Sequence, residues 1–287
     1  MVEAANFIHD TGNFVSKDKL QLFYQLWRPR DREKGALCVA HGLGEHSGRY
    51  DNLVNKLLPM GWALFALDHR GHGKSQGNRG HVDSFSQYTD DLDAFIDLIK
   101  TKTQAPLFLF GHSLGGLIAL SYALSYPQKI KGIVSSAAAL KIAVEVPKWK
   151  TTLGNFMSNL WPTLSMNNEI DPYMLSHDAD VVDAYKNDPL VHPKVTARWY
   201  TEFVAQIDWA HKNAHKLVVP CLILQGTGDK LVHPDGSREF FEKIQIGDKT
   251  FKSYEGLYHE LINELRKDEP LNDIAIWLDE HLKKLTA

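Results

Sequence analysis

Residues 111–116 read GHSLGG and follow the apolar run PLFLF at 106–110. This is a G-x-S-x-G pattern in a strand-turn-helix setting, the context in which a serine is held exposed on a sharp turn. Gly111 and Gly115 leave room for an unusual backbone at Ser113, because a β-carbon at either position would crowd the turn. The helix that follows offers free N–H groups and a positive dipole end to a developing oxyanion. The chemistry such a serine performs is acyl transfer through a covalent intermediate.

A serine hydroxyl needs a general base, and the base needs a group that fixes its tautomer. In this architecture the expected chain order is Ser, acid, His. Asp229, in LILQGTGDKLVHP (222–234), and His259, in GLYHEL (256–261), satisfy that order. Each falls just after an apolar, strand-like run, and open α/β sheets put their sites at such strand ends. Competitors exist for both roles. Asp68 ends the run WALFALD but precedes the serine and opens the tight turn HRGHGKS. Asp208 lies in a helical pattern, where a solvated face accounts for it. His233 would have to fold back within the loop of Asp229, and His112 is better placed to support the turn than to act as base.

These residues require strands that end on one edge. The runs ALCVA, WALFALD, PLFLFG, KGIVSSA, PCLILQG and KTFKSYE alternate with helix-like DNLVNKLLPMG, QYTDDLDAFIDLIK, LGGLIALSYALSYP and DGSREFFEKIQ. Apolar strands separated by helices predict a mostly parallel sheet covered on both faces. The early LQLFYQLW adds an antiparallel edge. Between about Leu140 and Lys216 the alternation stops, and the segment is rich in Trp, Met, Leu and Phe. The expected organisation is a hydrolase-like α/β core from residues 1–139 and 217–287, with a mostly helical cap at 140–216.

The chain has 287 residues, 44% hydrophobic and 23% charged, a balance that supports a sizeable buried core. A net charge of -3 gives no field to gather nucleic acid. The start, MVEAANFIHDTG, has no basic-then-apolar signal pattern, and no run of about 18 apolar residues occurs. A cytoplasmic protein, peripheral at membranes at most, is the expectation. Cys38 and Cys221 sit inside apolar runs and read as small buried hydrophobes.

HGLGEHSGRY (41–50), DHRGHGKSQG (68–77), GHSLGG, LQGTGDKLV (224–232) and YEGLYHEL (254–261) together resemble the monoacylglycerol lipase and lysophospholipase branch of the α/β-hydrolase fold. The resemblance covers nearly the whole chain and extends to LSMNNEIDPYMLSHDADVVDAYKNDPLVH (164–192), which is similar to the cap of those lipases. It implies Ser113 as nucleophile, Asp229 as acid and His259 as base. The backbone N–H groups of Leu43 and Leu114 would form the oxyanion hole. The implied reaction is cleavage of a monoacylglycerol to fatty acid and glycerol, with no metal or organic cofactor.

Two rival functions share the same residues. One is a broader carboxylesterase or lysophospholipase, the other a ligand-binding receptor that keeps the fold without the chemistry. A peptidase is also near in sequence, but nothing suggests a pocket for a peptide amine.

Glu45 and Arg49 either brace the loop by charge-assisted hydrogen bonds or contact the glycerol. His46 reads as structural, and a zinc site from His41, His46 and His72 matches no usual ligand spacing. In the cap, Trp149, Phe156, Met157, Leu160 and Trp161 are candidates for an acyl channel, or simply for the cap's own core. Flanked by Lys141, Lys148 and Lys150, the stretch also reads as a transient contact with a lipid surface.

Overall fold

The chain was analysed as a computed structural model that describes residues 7–143 and 157–286. Strand β3 (Gly35–Ala40) shows why the core strands carry no alternating pattern. Its Ala36 and Cys38 enter one hydrophobic cluster and its Leu37 and Val39 enter another, on the opposite face of the sheet. The same holds for β5 (Leu107–His112), with Leu107 and Leu109 on one side and Phe108 and Phe110 on the other. Strands buried on both faces read as continuous apolar runs.

The described residues form an eight-stranded sheet of order β1-β2-β4-β3-β5-β6-β9-β10. Besides β3 and β5 it contains β1 (Phe7–Val15), β2 (Gln21–Pro29), β4 (Trp62–Leu67), β6 (Ile133–Ser136), β9 (Cys221–Gly226) and β10 (Lys249–Tyr254). Strands β1 and β2 are antiparallel to their neighbours, while β4, β3, β5, β6, β9 and β10 run parallel. The antiparallel edge expected from LQLFYQLW is β2. Beyond it lies β1, mostly exposed and polar, which the search for apolar runs passed over.

Helices α1 (Asp51–Leu57) and α7 (Asp268–Thr286) cover one face, and α2 (Ser86–Lys102) and α3 (Leu114–Ser125) cover the other. Cys38 and Cys221 are buried and free, as expected.

Residues 140–216 contribute α4 (Ala179–Asn187) and α5 (Ala197–Asn213). The same segment contains a short antiparallel pair, β7 (Ser165–Asn167) with β8 (Lys194–Thr196). Helix α5 joins the main core rather than riding above it. Its Trp199, Phe203 and Ala210 are buried in the same cluster as α2 and α3. Trp199 Nε1 donates to Tyr88 Oη at 3.0 Å, and Gln206 Nε2 donates to Ser121 Oγ at 2.8 Å. Helix α6 (Pro234–Lys243) connects β9 to β10 and packs against both.

Candidate active site

Ser113 sits between β5 and α3 with φ 53° and ψ -118°, a region an L-residue rarely occupies. Hydrogen bonds to the end of β6 hold it there. Ser113 N–H donates to Ser136 O at 3.0 Å, and Ala139 N–H donates to Ser113 O at 3.0 Å. The first turn of α3 presses against the end of β3: a β-carbon at Gly115 would lie 2.1 Å from Ala40 O and 2.4 Å from His41 O. Only glycine permits that approach. It brings Leu114, whose N–H has no acceptor inside its own helix, beside the loop that leaves β3.

Asp229 follows β9, and all of its polar contacts are defined. Its Oδ1 accepts from the N–H groups of Leu231 (2.9 Å) and Val232 (3.1 Å). Its Oδ2 accepts from Gln225 Nε2 at 3.2 Å and meets His259 Nδ1 at 2.8 Å. Gln225 is itself oriented, since its Oε1 accepts from Ser237 Oγ. Burial works against the Asp229 carboxylate, but the His259 interaction and the two amides prevail and hold its pKa below the usual range. Burial likewise disfavours imidazolium at His259. The Asp229 charge and hydrogen bond, reinforced by Glu260 and Glu45, overcome it and raise the pKa of His259. A base of raised pKa, oriented by a carboxylate and lining one cavity with an exposed-turn serine, can activate that serine for acyl transfer.

The competing residues are engaged elsewhere. Asp68 accepts from Ser47 N–H and Lys74 N–H, both at 2.8 Å, and so pins the HRGHGKS turn. Asp208 pairs with Lys212 on the exposed face of α5. His233 caps α6 by accepting from Asp235 N–H. His112 meets Ser136 O through Nδ1, and burial drops its pKa to about 3, so it stays neutral and supports the turn. Of the three histidines weighed for zinc, His46 is bonded to Asp188, while His41 and His72 pack together and bond to backbone oxygens.

Glu45 and Arg49 form the brace foreseen for them, extended by a residue that was not. Glu45 Oε1 accepts from Gly42 N–H at 2.5 Å and from Tyr50 Oη at 2.8 Å, and its Oε2 accepts from Arg49 Nη1 at 3.0 Å. The same guanidinium reaches Glu260 with two bonds, Nη1 to Oε1 at 2.7 Å and Nη2 to Oε2 at 3.0 Å. Glu260, directly after His259, is buried, and its N–H donates to Leu175 O of the cap segment. YHEL gives no sign of this role, because the cation that pairs with Glu260 lies in a distant stretch of sequence.

The cavity around Ser113 measures about 20 Å³, close to the space of one water molecule. Leu43, Ile170, Leu175 and Leu231 form an apolar sector, while Glu45, Arg49, His112, Tyr185 and Glu260 form a polar one. Leu43 and Ser113 both line this cavity. Trp149 and Phe156, with Lys148 and Lys150, lie outside the described residues. Leu160 is 68% exposed and does not line this cavity, whereas Ile170 and Leu175 do. Lys141 pairs with Glu239 at 2.7 Å.

Comparison with known proteins agrees with this geometry. The family profile described as serine aminopeptidase, S33, matches residues 31–266. The chain is 33% identical over 276 residues to the human monoglyceride lipase, covering 94% of this chain and 91% of that protein. It is 31% identical over 272 residues to the monoacylglycerol lipase of Mycolicibacterium smegmatis, covering 94% and 97%. The crystal structure of Paleococcus ferrophilus monoacylglycerol lipase superposes with a TM-score of 0.82 at 35% identity, covering 96% of this chain and 99% of that one. The mostly parallel sheet, the strained serine turn and these matches make the chain a member of the serine aminopeptidase S33 family of α/β-hydrolases.

Proposed function

We propose that this protein is a serine ester hydrolase that cleaves monoacylglycerols to a fatty acid and glycerol. The observation that carries the reading is the 2.8 Å contact of His259 Nδ1 with Asp229 Oδ2, beside a cavity shared with the strained Ser113. That contact fixes the Nδ1–H tautomer, which leaves Nε2 free to take the serine proton.

In the reaction, Ser113 Oγ bonds to the ester carbonyl carbon while His259 Nε2 accepts its proton. The carbonyl oxygen becomes an oxyanion, stabilised by the N–H groups of Leu43 and Leu114. The intermediate collapses as His259 returns the proton to the glycerol oxygen, and the C–O bond breaks. Water, deprotonated by the same base, then releases the fatty acid. The apolar sector suits the start of the acyl chain and the polar sector suits the glyceryl group. Because the cavity holds little more than a water, the groups that close it, among them Leu175 and Tyr185, must shift when a substrate binds.

Replacing Ser113 by Ala tests the assignment. The variant should lose labelling by a fluorophosphonate probe and lose monoacylglycerol turnover by about 10⁴-fold or more. Normal turnover would overturn the reading.

The cap at 140–216 is the part that meets lipid in this proposal. Leu160, Trp161 (58% exposed) and Met166 present apolar surface there, and no helix among the described residues is long and apolar enough to cross a membrane. Transient surface contact follows. Anionic vesicles should co-sediment the protein, and Trp161→Ser should weaken that. Equal recovery of both proteins in the supernatant would remove it.

A further inference from the structure

We propose that the Glu45–Arg49–Glu260 cluster is a charge filter that makes the enzyme reject esters with anionic headgroups, such as monoacylglycerol phosphates, in favour of neutral ones. The inference rests on the monoacylglycerol reading and deepens it, since it concerns which headgroups the same cavity admits.

The argument begins with a charge count. All three residues line the cavity and all are nearly sealed from solvent, with side-chain exposures of 5%, 9% and 3%. Every bond to Glu45 comes from a donor: Gly42 N–H, Tyr50 Oη–H and Arg49. Burial and the neighbouring Glu260 charge raise the pKa of Glu45, Arg49 and the Gly42 N–H oppose that rise, and three donors directed at its two oxygens are the surroundings of a carboxylate. Glu260 likewise receives two bonds from Arg49 and one from Asn263 Nδ2. Two carboxylates therefore face one guanidinium, and the polar sector carries one net negative charge. Nothing nearby reverses it. His112 is held neutral by burial, Tyr50 and Tyr185 are uncharged phenols, and any positive charge on His259, whose pKa is raised, is balanced by the Asp229 carboxylate it bonds.

Arg49 is the cation that would otherwise welcome a phosphate. Its Nη1 is divided between Glu45 and Glu260, its Nη2 is bonded to Glu260, and its face is stacked on the Tyr185 ring with Cζ 4.8 Å from the centroid. A phosphate would have to displace a buried, bidentate carboxylate to reach it. In a water-poor cavity, like charges also repel with little screening. Neutral glyceryl hydroxyls meet neither obstacle, and the carboxylate oxygens can accept from them.

The experiment compares kcat/KM for a monoacylglycerol and for the monoacylglycerol phosphate of the same acyl chain. The wild-type protein should prefer the neutral ester by about 100-fold or more, and the ratio should hold as NaCl rises from low concentration to about 0.5 M, because the charges lie out of solvent. Glu260→Gln removes one charge and frees Arg49. It should shrink the preference by about tenfold or more. Glu45→Gln, which keeps an acceptor for Gly42 N–H, should move it in the same direction and covers the case in which the first variant folds poorly.

Equal wild-type rates on the two esters, a preference that collapses in salt, or a ratio unmoved by either folded variant would overturn the filter and leave the lipase reading intact. A wild-type protein that does not cleave the neutral ester would overturn both.

Discussion

Replacing Asp229 by Asn isolates what the carboxylate does, because its surroundings dictate how the amide must sit. Oδ1 accepts from two backbone N–H groups, of Leu231 and Val232, so the asparagine carbonyl has to occupy that side. The NH₂ group then takes the place of Oδ2, facing Gln225 Nε2 and His259 Nδ1. Gln225 could turn to present its oxygen only if its amide then donated to Ser237 Oγ, reversing the bond that orients it. An N–H now points at His259 Nδ1, which must accept it. The imidazole is driven into the Nε2–H tautomer, the wrong one for taking a proton from Ser113. The imidazolium formed in the reaction also loses its countercharge.

Together these effects should lower kcat by about 10⁴-fold, or about 5.5 kcal/mol in the barrier. Stopped assays on a monoacylglycerol would measure it, with a thermal melt showing that the variant is folded. A folded Asp229→Asn protein that kept more than a tenth of the wild-type kcat would refute the reasoning, and with it the role of Asp229.

Three further outcomes are expected. Activity needs neutral His259, whose pKa is raised, so kcat/KM should fall as pH drops through a midpoint above 6.5; a midpoint below 6 would contradict the pairing. The same raised pKa means that the stability His259 contributes is complete below pH 6.5 and is lost as pH rises through the folded-state value, while that of Asp229 is present above pH 3.8 and lost as pH falls through its lowered value. Ser113→Gly should melt about 2 °C higher while inactive, because glycine relieves the φ of 53°; a lower melting temperature would show that the turn is not strained. Trp199→Phe deletes the buried bond to Tyr88 and should cost about 2 kcal/mol in urea denaturation, against no change if α5 is only loosely attached to the core.

The residues proposed for the reaction were legible in the sequence because each is announced by its neighbours. Ser113 has glycines that the turn demands, Asp229 follows the fully buried apolar β9, and His259 follows β10, a partly exposed edge strand. The parallel sheet was legible for the same reason, since strands buried on both faces leave apolar runs. What escaped notice lacked a local mark. β1 pairs along the sheet edge with four consecutive exposed residues, so hydrophobicity could not reveal it. In α7, by contrast, Leu271, Ile274, Ala275 and Leu278 are buried at helical spacing, a local mark that the sequence does carry. Leu160 shows the opposite error: apolar character in a cap does not say which side a residue faces, and this one faces out.

Glu260 was invisible for a deeper reason. Its partner Arg49 lies 211 residues earlier, in the loop after β3, while Glu260 follows β10. In the sheet, β5, β6 and β9 stand between those two strands. Four strand spacings amount to about 19 Å, so the two loops meet only by leaning over the sheet end from opposite sides. The Arg49 guanidinium is where they meet. It joins Glu45, which holds the Gly42 amide beside Leu43, to the residue that follows the base. One buried ion cluster therefore relates the proposed oxyanion loop to His259, and the same cluster gives the headgroup side of the cavity its negative charge. Charge selection and catalytic alignment are then coupled: a substitution at Glu260 that relaxes the headgroup preference also loosens the tie between the two loops. For that reason the ratio of the two substrates, rather than either rate alone, is the quantity that reads the filter.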